Sequence, residues 1–317
     1  MLSRVAEQVY WMARYIERAE STARLITLNS FMMMDLPKGL LPGWEPLIYI
    51  TGSGREFEAR YHDYSERSVV RFLIGDSNHA GSIVACLHSA RENCRSVRDV
   101  LPRPAWEELS ALYSEARENL QSGLTRRHRH AWLNQIIHGC QLLSGALNST
   151  MPRDEAFSFL RLGQHLERAD MTTRIIDART VSLLPAQAPE LAPFESLQWM
   201  SVLNSLDAYL VYRRRQQTQV RRRPVLRFLV QDPRFPRSVL YSIRAIRTCL
   251  GQLPNHRHAL EQVRVLDSAL RNPQIQELRQ KALHTFLDDL QRDLIGLHKR
   301  VSQTYFINGK AHGTGNQ

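Results

Sequence analysis

The amino-acid sequence predicts an all-α protein, a helical bundle built from two tandem, pseudo-symmetric helical repeats. Three observations carry that prediction. Apolar residues recur at steps of three and four along most of the chain, the period of one helix face. Period-two alternation, the mark of a strand, is confined to a weak stretch over Leu47–Thr51. A decapeptide at Glu17–Ile26, ERAESTARLI, returns 150 positions later at Glu167–Ile176 as ERADMTTRII, with six of ten residues identical and most of those polar.

In the first segment Val5, Val9, Met12, Ile16, Ala19, Ala23 and Ile26 form one continuous stripe, which predicts a long helix. Asp35, Pro37, Gly39, Pro42 and Gly43 end it. Shorter helical pieces are expected from Trp44 to Gly75, and a long helix from about Gly81 to Leu101, stopped by Pro102 and Pro104. Two more follow over about Ala105–Gln121 and Arg126–Thr150. After Met151-Pro152 another long helix carries the second decapeptide up to Leu184. Pro185, Pro189 and Pro193 mark a linker, and helices resume from Glu195. Turns are expected at Asp232-Pro233, Pro236, Gly251–Pro254 and Asn272-Pro273, and a frayed tail at Gly309–Gln317.

A second pair of blocks supports duplication. Arg71–Asp76 (RFLIGD) matches Arg227–Asp232 (RFLVQD) at an offset of 156, and Ser82 and Arg91 align with Ser238 and Arg247 at that same offset. Each Ser stands near a helix start, where its hydroxyl can cap a free N–H. The chain therefore reads as a single helical domain, residues 1–317, made of repeats over about 1–150 and 151–308 with a flexible tail at 309–317. The two motif helices are expected to face each other or to flank one cleft.

Charge narrows the function classes. The chain carries a net charge of +11, almost all of it from 38 arginines against four lysines. Arginine suits bidentate pairing with carboxylates and phosphates. Arg213–Arg215 and Arg221–Arg223, with Tyr209 and Tyr212 close by, form the most basic stretch, read as a connection between helices. No helix-turn-helix, RNP or zinc module accompanies it, so nucleic acid is not the expected partner. The phosphate-loop, dinucleotide, nucleophile-elbow and zinc-protease signatures are all absent. Cys86, Cys94, Cys140 and Cys249 form no CxxC pair, and Arg4, Glu7 and Arg14 interrupt what a secretion signal would need as its apolar core. A cytoplasmic protein with no membrane association is expected.

The chemistry lies in the repeated motif. At 100° per residue, Glu17, Glu20 and Arg24 share one narrow sector with Tyr10 and Ala13, while Arg18 lies on the face of Trp11, Arg14 and Thr22. In the second copy Glu167, Asp170 and Arg174 share a sector with Gly163, and Arg168 lies with Thr172. A small residue one turn before the acid in both copies permits close approach by a helix or a ligand. His165 stands where Tyr15 stands in the first copy. These residues leave several readings open. The charges form either a structural ion-pair network at the contact of the halves or a binding site for a charged small molecule. A carboxylate metal site is a third reading, but the partnering ExxH is missing and the arginines repel a cation, so no metal and no cofactor is expected. If the site is catalytic, Glu17 and Glu167 are the candidate general bases, provided burial raises their pKa.

Several segments taken together resemble the bacterial Alpha-E family of helical proteins with a Glu-Arg motif. They are MLSRVAEQVYWMARYIERAESTARL at the start, WEPL at Trp44–Leu47, RFLIGD at Arg71–Asp76, SARENCRSVRD at Ser89–Asp99, FLRLGQHLERADMTTRIID, and DPRFPRSV at Asp232–Val239. The resemblance runs to about Phe306, and the family's motif residues fall on Glu17, Arg18, Glu167 and Arg168. It implies an all-helical fold and association with a circularly permuted ATP-grasp protein, often with a transglutaminase-like protease, in systems proposed to form or modify peptide amide bonds. On that reading Arg18, Arg24, Arg168 and Arg174 clamp the carboxylate or phosphate of a peptide, amino-acid or acyl-phosphate intermediate. Glu20 and Asp170 complete the binding set, and Glu17 and Glu167 hold the arginines or meet an incoming amine. The alternative is a scaffold whose Glu-Arg motifs are purely structural.

Overall fold

The computed structural model describes residues 1–35, 43–181, 192–216 and 219–306. Its helices are α1 (Ser3–Asp35), α2 (Glu45–Ile50), α3 (Gly54–Glu58), α4 (Glu66–Gly75), α5 (Ile83–Ser96), α6 (Arg103–Glu118), α7 (Leu120–Leu124) and α8 (Arg126–Thr150). They continue with α9 (Glu155–Val181), α10 (Ala192–Ser205), α11 (Tyr209–Gln216), α12 (Arg222–Gln231), α13 (Val239–Gly251), α14 (Arg257–Leu270) and α15 (Gln280–Tyr305), with a 3₁₀ turn at Pro273–Glu277 before the last. No strand occurs among the described residues, so the alternation at Leu47–Thr51 belongs to α2 and the turn after it. No helix of the described residues is long and apolar enough to cross a membrane.

The two motif helices, α1 and α9, lie against each other at the centre. They run in the same direction, since Tyr10 meets Gly163 and Glu17 meets Arg168 seven and five residues further on. Most positions over 9–26 and 156–176 are buried, because both helices are covered on several sides. On the α1 flank lie α5 and α8, with α6 packed across both. On the α9 flank lie α13 and α15, with α14 across both. The early connection crosses over: α2 packs on α9, and α10 packs on α1.

Local chemistry recurs with the packing. Ser82 caps α5 through the Ala85 N–H at 3.3 Å, and Ser238 caps α13 through the Tyr241 N–H at 3.1 Å. Each Ser hydroxyl also donates back to the carbonyl of the Asp six residues earlier, Asp76 or Asp232. Those Asp side chains accept N–H groups of the turn that follows and an arginine from the preceding helix or turn, Arg60 or Arg215. The matched RFL-D blocks are thus turn-forming units that deliver α5 and α13 to the central pair.

Several boundaries differ from the sequence expectation. The helix expected to reach Leu101 stops at Ser96 and continues as turns, and the one expected over Ala105–Gln121 divides into α6 and α7 at Asn119. Pro193 lies in the first turn of α10, where its missing N–H costs nothing. The linker prolines Pro185 and Pro189, the end of the motif helix at Leu184, and the tail Gly309–Gln317 lie outside the described residues. The basic run is not one connection. Arg213–Arg215 close α11, Arg222 and Arg223 open α12, and Tyr212 is buried in the core. Arg215 pairs with Asp232 and Arg223 with Glu277, both at 2.8 Å.

Candidate functional site

Close approach comes first. A Cβ built on Gly163 would stand 2.3 Å from the Tyr10 carbonyl oxygen, so α9 presses its backbone directly onto α1 at that point. One turn further along, the acids of each helix meet arginines of the other half. Arg168 grips Glu17 with two bonds, Nε to Oε1 at 2.8 Å and Nη2 to Oε2 at 2.7 Å. Arg18 grips Glu167 in the same way, at 2.5 and 3.0 Å. The Glu-Arg motif therefore works by exchange: each motif's arginine neutralises the other motif's acid.

Each acid has a second arginine. Arg14 donates to Glu167 Oε2 at 2.7 Å, and Arg237, from the turn before α13, reaches Glu17 at 3.3 Å and Glu20 at 2.6 Å. The i,i+4 pairs read from the sequence also form: Arg24 to Glu20 at 2.9 Å, and Arg174 to Asp170 at 2.8 Å. Glu17 and Glu167 are each only 2% exposed. Burial alone pushes a carboxyl up, but here Arg18 and Arg14 outweigh it and draw Glu167 down to about 2. Arg168 and Arg237 likewise hold Glu17 below the usual carboxylate range. The condition for a general base, a pKa raised towards neutrality, is therefore not met at either acid.

All eight motif residues expected from the sequence, Glu17, Arg18, Glu20, Arg24, Glu167, Arg168, Asp170 and Arg174, join this seam or its edge. Sequence reasoning missed Arg14 and Arg237. Arg14 sat on the face assigned to Arg18, and its guanidinium lies 4.8 Å over the Trp11 ring. Arg237 lies within the DPRFPRSV segment, but nothing in that segment points to α1. Arg91, Arg95 and Glu92 of α5 pair among themselves on a partly exposed face rather than in the seam. His165 is fully buried, its ring 5.8 Å from that of Tyr241 on α13, with neither ring nitrogen partnered, and burial keeps it neutral. A further grouping, Asp177 and His284 joined at 2.7 Å with Asp288 alongside, brings three ligand-type atoms within 4.8 Å at the α9–α15 contact; the sequence reading did not find it.

The seam opens on one side into a cavity of about 310 Å³. Its charged wall is Arg14, Arg18 and Arg174 facing Glu56, Glu167 and Asp170. His79, His298, Thr22, Thr51 and Ser53 complete the polar lining, with Leu294 and Met171 among the apolar part. His298 accepts or donates through Nδ1 to the Tyr10 hydroxyl at 2.8 Å, and burial followed by Arg14 draws its pKa down to about 4. His79 is held by Glu56, 2.9 Å from its Nδ1, and stacks on Phe72 with ring centroids 4.0 Å apart. Three buried polar atoms of the lining residues have no hydrogen-bond partner, Thr22 Oγ1, Asp170 Oδ1 and His79 Nε2. The wall carries both signs of charge in equal number, with Arg14 and Arg18 paired to Glu167 and Arg174 paired to Asp170.

Comparison with known proteins agrees with the motif. The Alpha-E family, described as a predicted alpha-helical domain with a conserved ER motif, matches residues 1–306. An uncharacterised protein of Mycobacterium bovis is 24% identical over 319 residues, covering 93% of this chain and 35% of its own length. An uncharacterised protein of Mycobacterium tuberculosis is 23% identical over the same shares. The chain thus spans about a third of the length of the curated relatives it matches. No solved structure matches it.

Proposed function

The chain belongs to the Alpha-E family, and from that premise we propose that it binds a charged amino-acid or peptide intermediate in the seam cavity, as a component of an ATP-grasp-linked system that forms or modifies peptide amide bonds. The observation that carries the binding reading is the cavity itself: three arginines and three carboxylates around about 310 Å³, enough room for an amino acid. Within this reading the residues divide their labour. Glu17, Glu167, Arg18 and Arg168 saturate one another and set the seam; Asp170, Arg174 and Glu56 face the ligand. Arg24 and Glu20, on the other side of the seam, are occupied by each other and by Arg237.

A scaffold reading draws support from the same saturation, because fully paired carboxylates have nothing left for a substrate. The two readings separate by reconstitution. The protein, an ATP-grasp partner, ATP and amino acids are combined, and amide products are followed by mass spectrometry. Arg174→Ala and Asp170→Asn should each lower product yield at least tenfold while the circular dichroism spectrum stays unchanged. Undiminished yield from both folded variants would leave only the scaffold.

A further inference from the structure

Apart from Arg14, whose counterpart at the 150-residue offset is Gln164, the halves differ at two further points beside the seam. At the 156-residue offset that aligns Ser82 with Ser238, the counterpart of Arg237 is Gly81. Arg237 places its guanidinium against Glu17 and Glu20. Gly81 places nothing against Glu167 and Asp170, and it lines the cavity instead. A side chain there would be obstructed, since a Cβ on Gly81 would stand 2.8 Å from both Cε1 and Nε2 of His79. Glu167 is compensated by Arg14, but Asp170 keeps one oxygen unpartnered and buried.

The second difference concerns the anion. Arg24 has Asp207 beside it at 3.8 Å, on the turn that follows α10. Asp207 has a positive φ of 53°. Gly52, on the turn that follows α2, also has a positive φ, of 70°, and lies against Arg174, the counterpart of Arg24; a Cβ there would stand 2.7 Å from Arg174 Nη1. Each turn therefore meets the arginine of the opposite motif helix, but only one turn brings a carboxylate. Relative to the other half, the cavity lacks one cation at Asp170 and one anion at Arg174.

We propose that the cavity takes a zwitterionic amino acid whose cationic nitrogen group replaces the Arg237 guanidinium, donating to Asp170 Oδ1 and His79 Nε2, while its carboxylate replaces that of Asp207 against Arg174. This deepens the binding reading above and rests on it. His79 suits the role assigned: Glu56 takes the Nδ1–H, burial keeps the ring neutral, and Nε2 is then an acceptor with no donor. Asp170 Oδ1 is the carboxylate oxygen that Arg174 leaves free, an acceptor by its chemistry. Two orphaned acceptors beside a compensated Glu167 call for hydrogen-bond donors, which a cationic nitrogen group supplies. The Arg174 guanidinium uses Nε on Asp170 and presents its other edge to Gly52 and the cavity.

The test is isothermal titration of the full chain with L-arginine, agmatine, which lacks the carboxylate, and acetate, which lacks the cation. L-Arginine should bind at one per chain, and agmatine and acetate at least tenfold more weakly. Asp170→Asn should weaken L-arginine and agmatine together without weakening acetate; Arg174→Ala should weaken L-arginine and acetate without weakening agmatine, since each change also frees the other member of the Arg174–Asp170 pair. If either variant unfolds, the native protein still decides through nitrogen-15 NMR, where L-arginine must shift the His79 Nε2 resonance. Acetate binding as tightly as L-arginine, or a His79 signal that ignores a bound ligand, would overturn the zwitterion while sparing a ligand site. Absence of binding by all three probes would sink the zwitterion, and loss of product formation in the reconstitution would then still report separately on the site.

Discussion

Gly163→Ala sets two physical effects against each other. An alanine in a helix interior is favoured over glycine by about 1 kcal/mol, so local propensity makes the variant more stable. The contact says the opposite. The added methyl would lie 2.3 Å from the Tyr10 carbonyl oxygen, a backbone atom that cannot rotate away. Ordinary C···O contacts lie near about 3.3 Å, so α1 and α9 must part by about 1 Å. The Arg18–Glu167 and Arg168–Glu17 bonds, at 2.5 to 3.0 Å, begin one turn away and would be stretched. Overpacking by one methyl costs about 1–3 kcal/mol, and weakening a buried ion pair adds to it. The net expectation is a loss of about 2–4 kcal/mol, read as a lower urea midpoint with an unchanged slope by circular dichroism. A midpoint equal to or above that of the parent protein would refute the direct backbone contact and with it the described seam.

Glu167→Gln leaves the buried Arg14 and the half-buried Arg18 without their counter-charge and should cost about 3–5 kcal/mol; the same change at the exposed Glu107, paired with Arg103, should cost under about 1 kcal/mol. Acid should act through the same group. Its folded pKa, near 2, lies below the ordinary 4.5, so its contribution is complete above about pH 4.5 and is lost as pH falls through 2; a chemical-denaturation series from pH 6 to pH 2 should show stability falling across that window, and a flat series would contradict it. Thiol chemistry offers an independent check. Cys86, Cys94, Cys140 and Cys249 are all buried, and burial lifts Cys86 to about 12 and Cys94 and Cys249 to about 11. Native protein should react with Ellman's reagent far more slowly than the urea-unfolded chain, and rapid labelling of any of them would contradict the packing.

The helices and the motif residues were legible because both obey local rules. A stripe at steps of three and four identifies α1, and a short Glu-to-Arg spacing identifies Glu20–Arg24 and Asp170–Arg174. The small residue before each acid also announced the close approach that Gly163 makes. What local rules do not contain is partner choice between distant segments. The exchange of Arg18 and Arg168 depends on α1 and α9 lying parallel, and Arg237 arrives from a turn more than 200 residues from Glu17. The cavity escaped for a different reason. Aligning the repeats rewards identities such as Ser82 with Ser238, yet the adjoining mismatch, Gly81 against Arg237, is what borders the hollow. Between two matched segments, the positions that disagree carry information that the identities do not.

The exchange of arginines also has a consequence for how the chain is assembled. Both arginines of Glu17 come from beyond residue 150, and both arginines of Glu167 come from before it. Neither half can therefore discharge its own buried acid. A fragment ending near Thr150 carries Glu17 as an uncompensated anion beside Arg14 and Arg18 with no acid to hold, and the complementary fragment carries the reverse mismatch. Each is a half-written electrostatic sentence, soluble or aggregated but not closed, and only the other fragment supplies the missing words. The seam closes only where α1, α9 and the turn bearing Arg237 are present together.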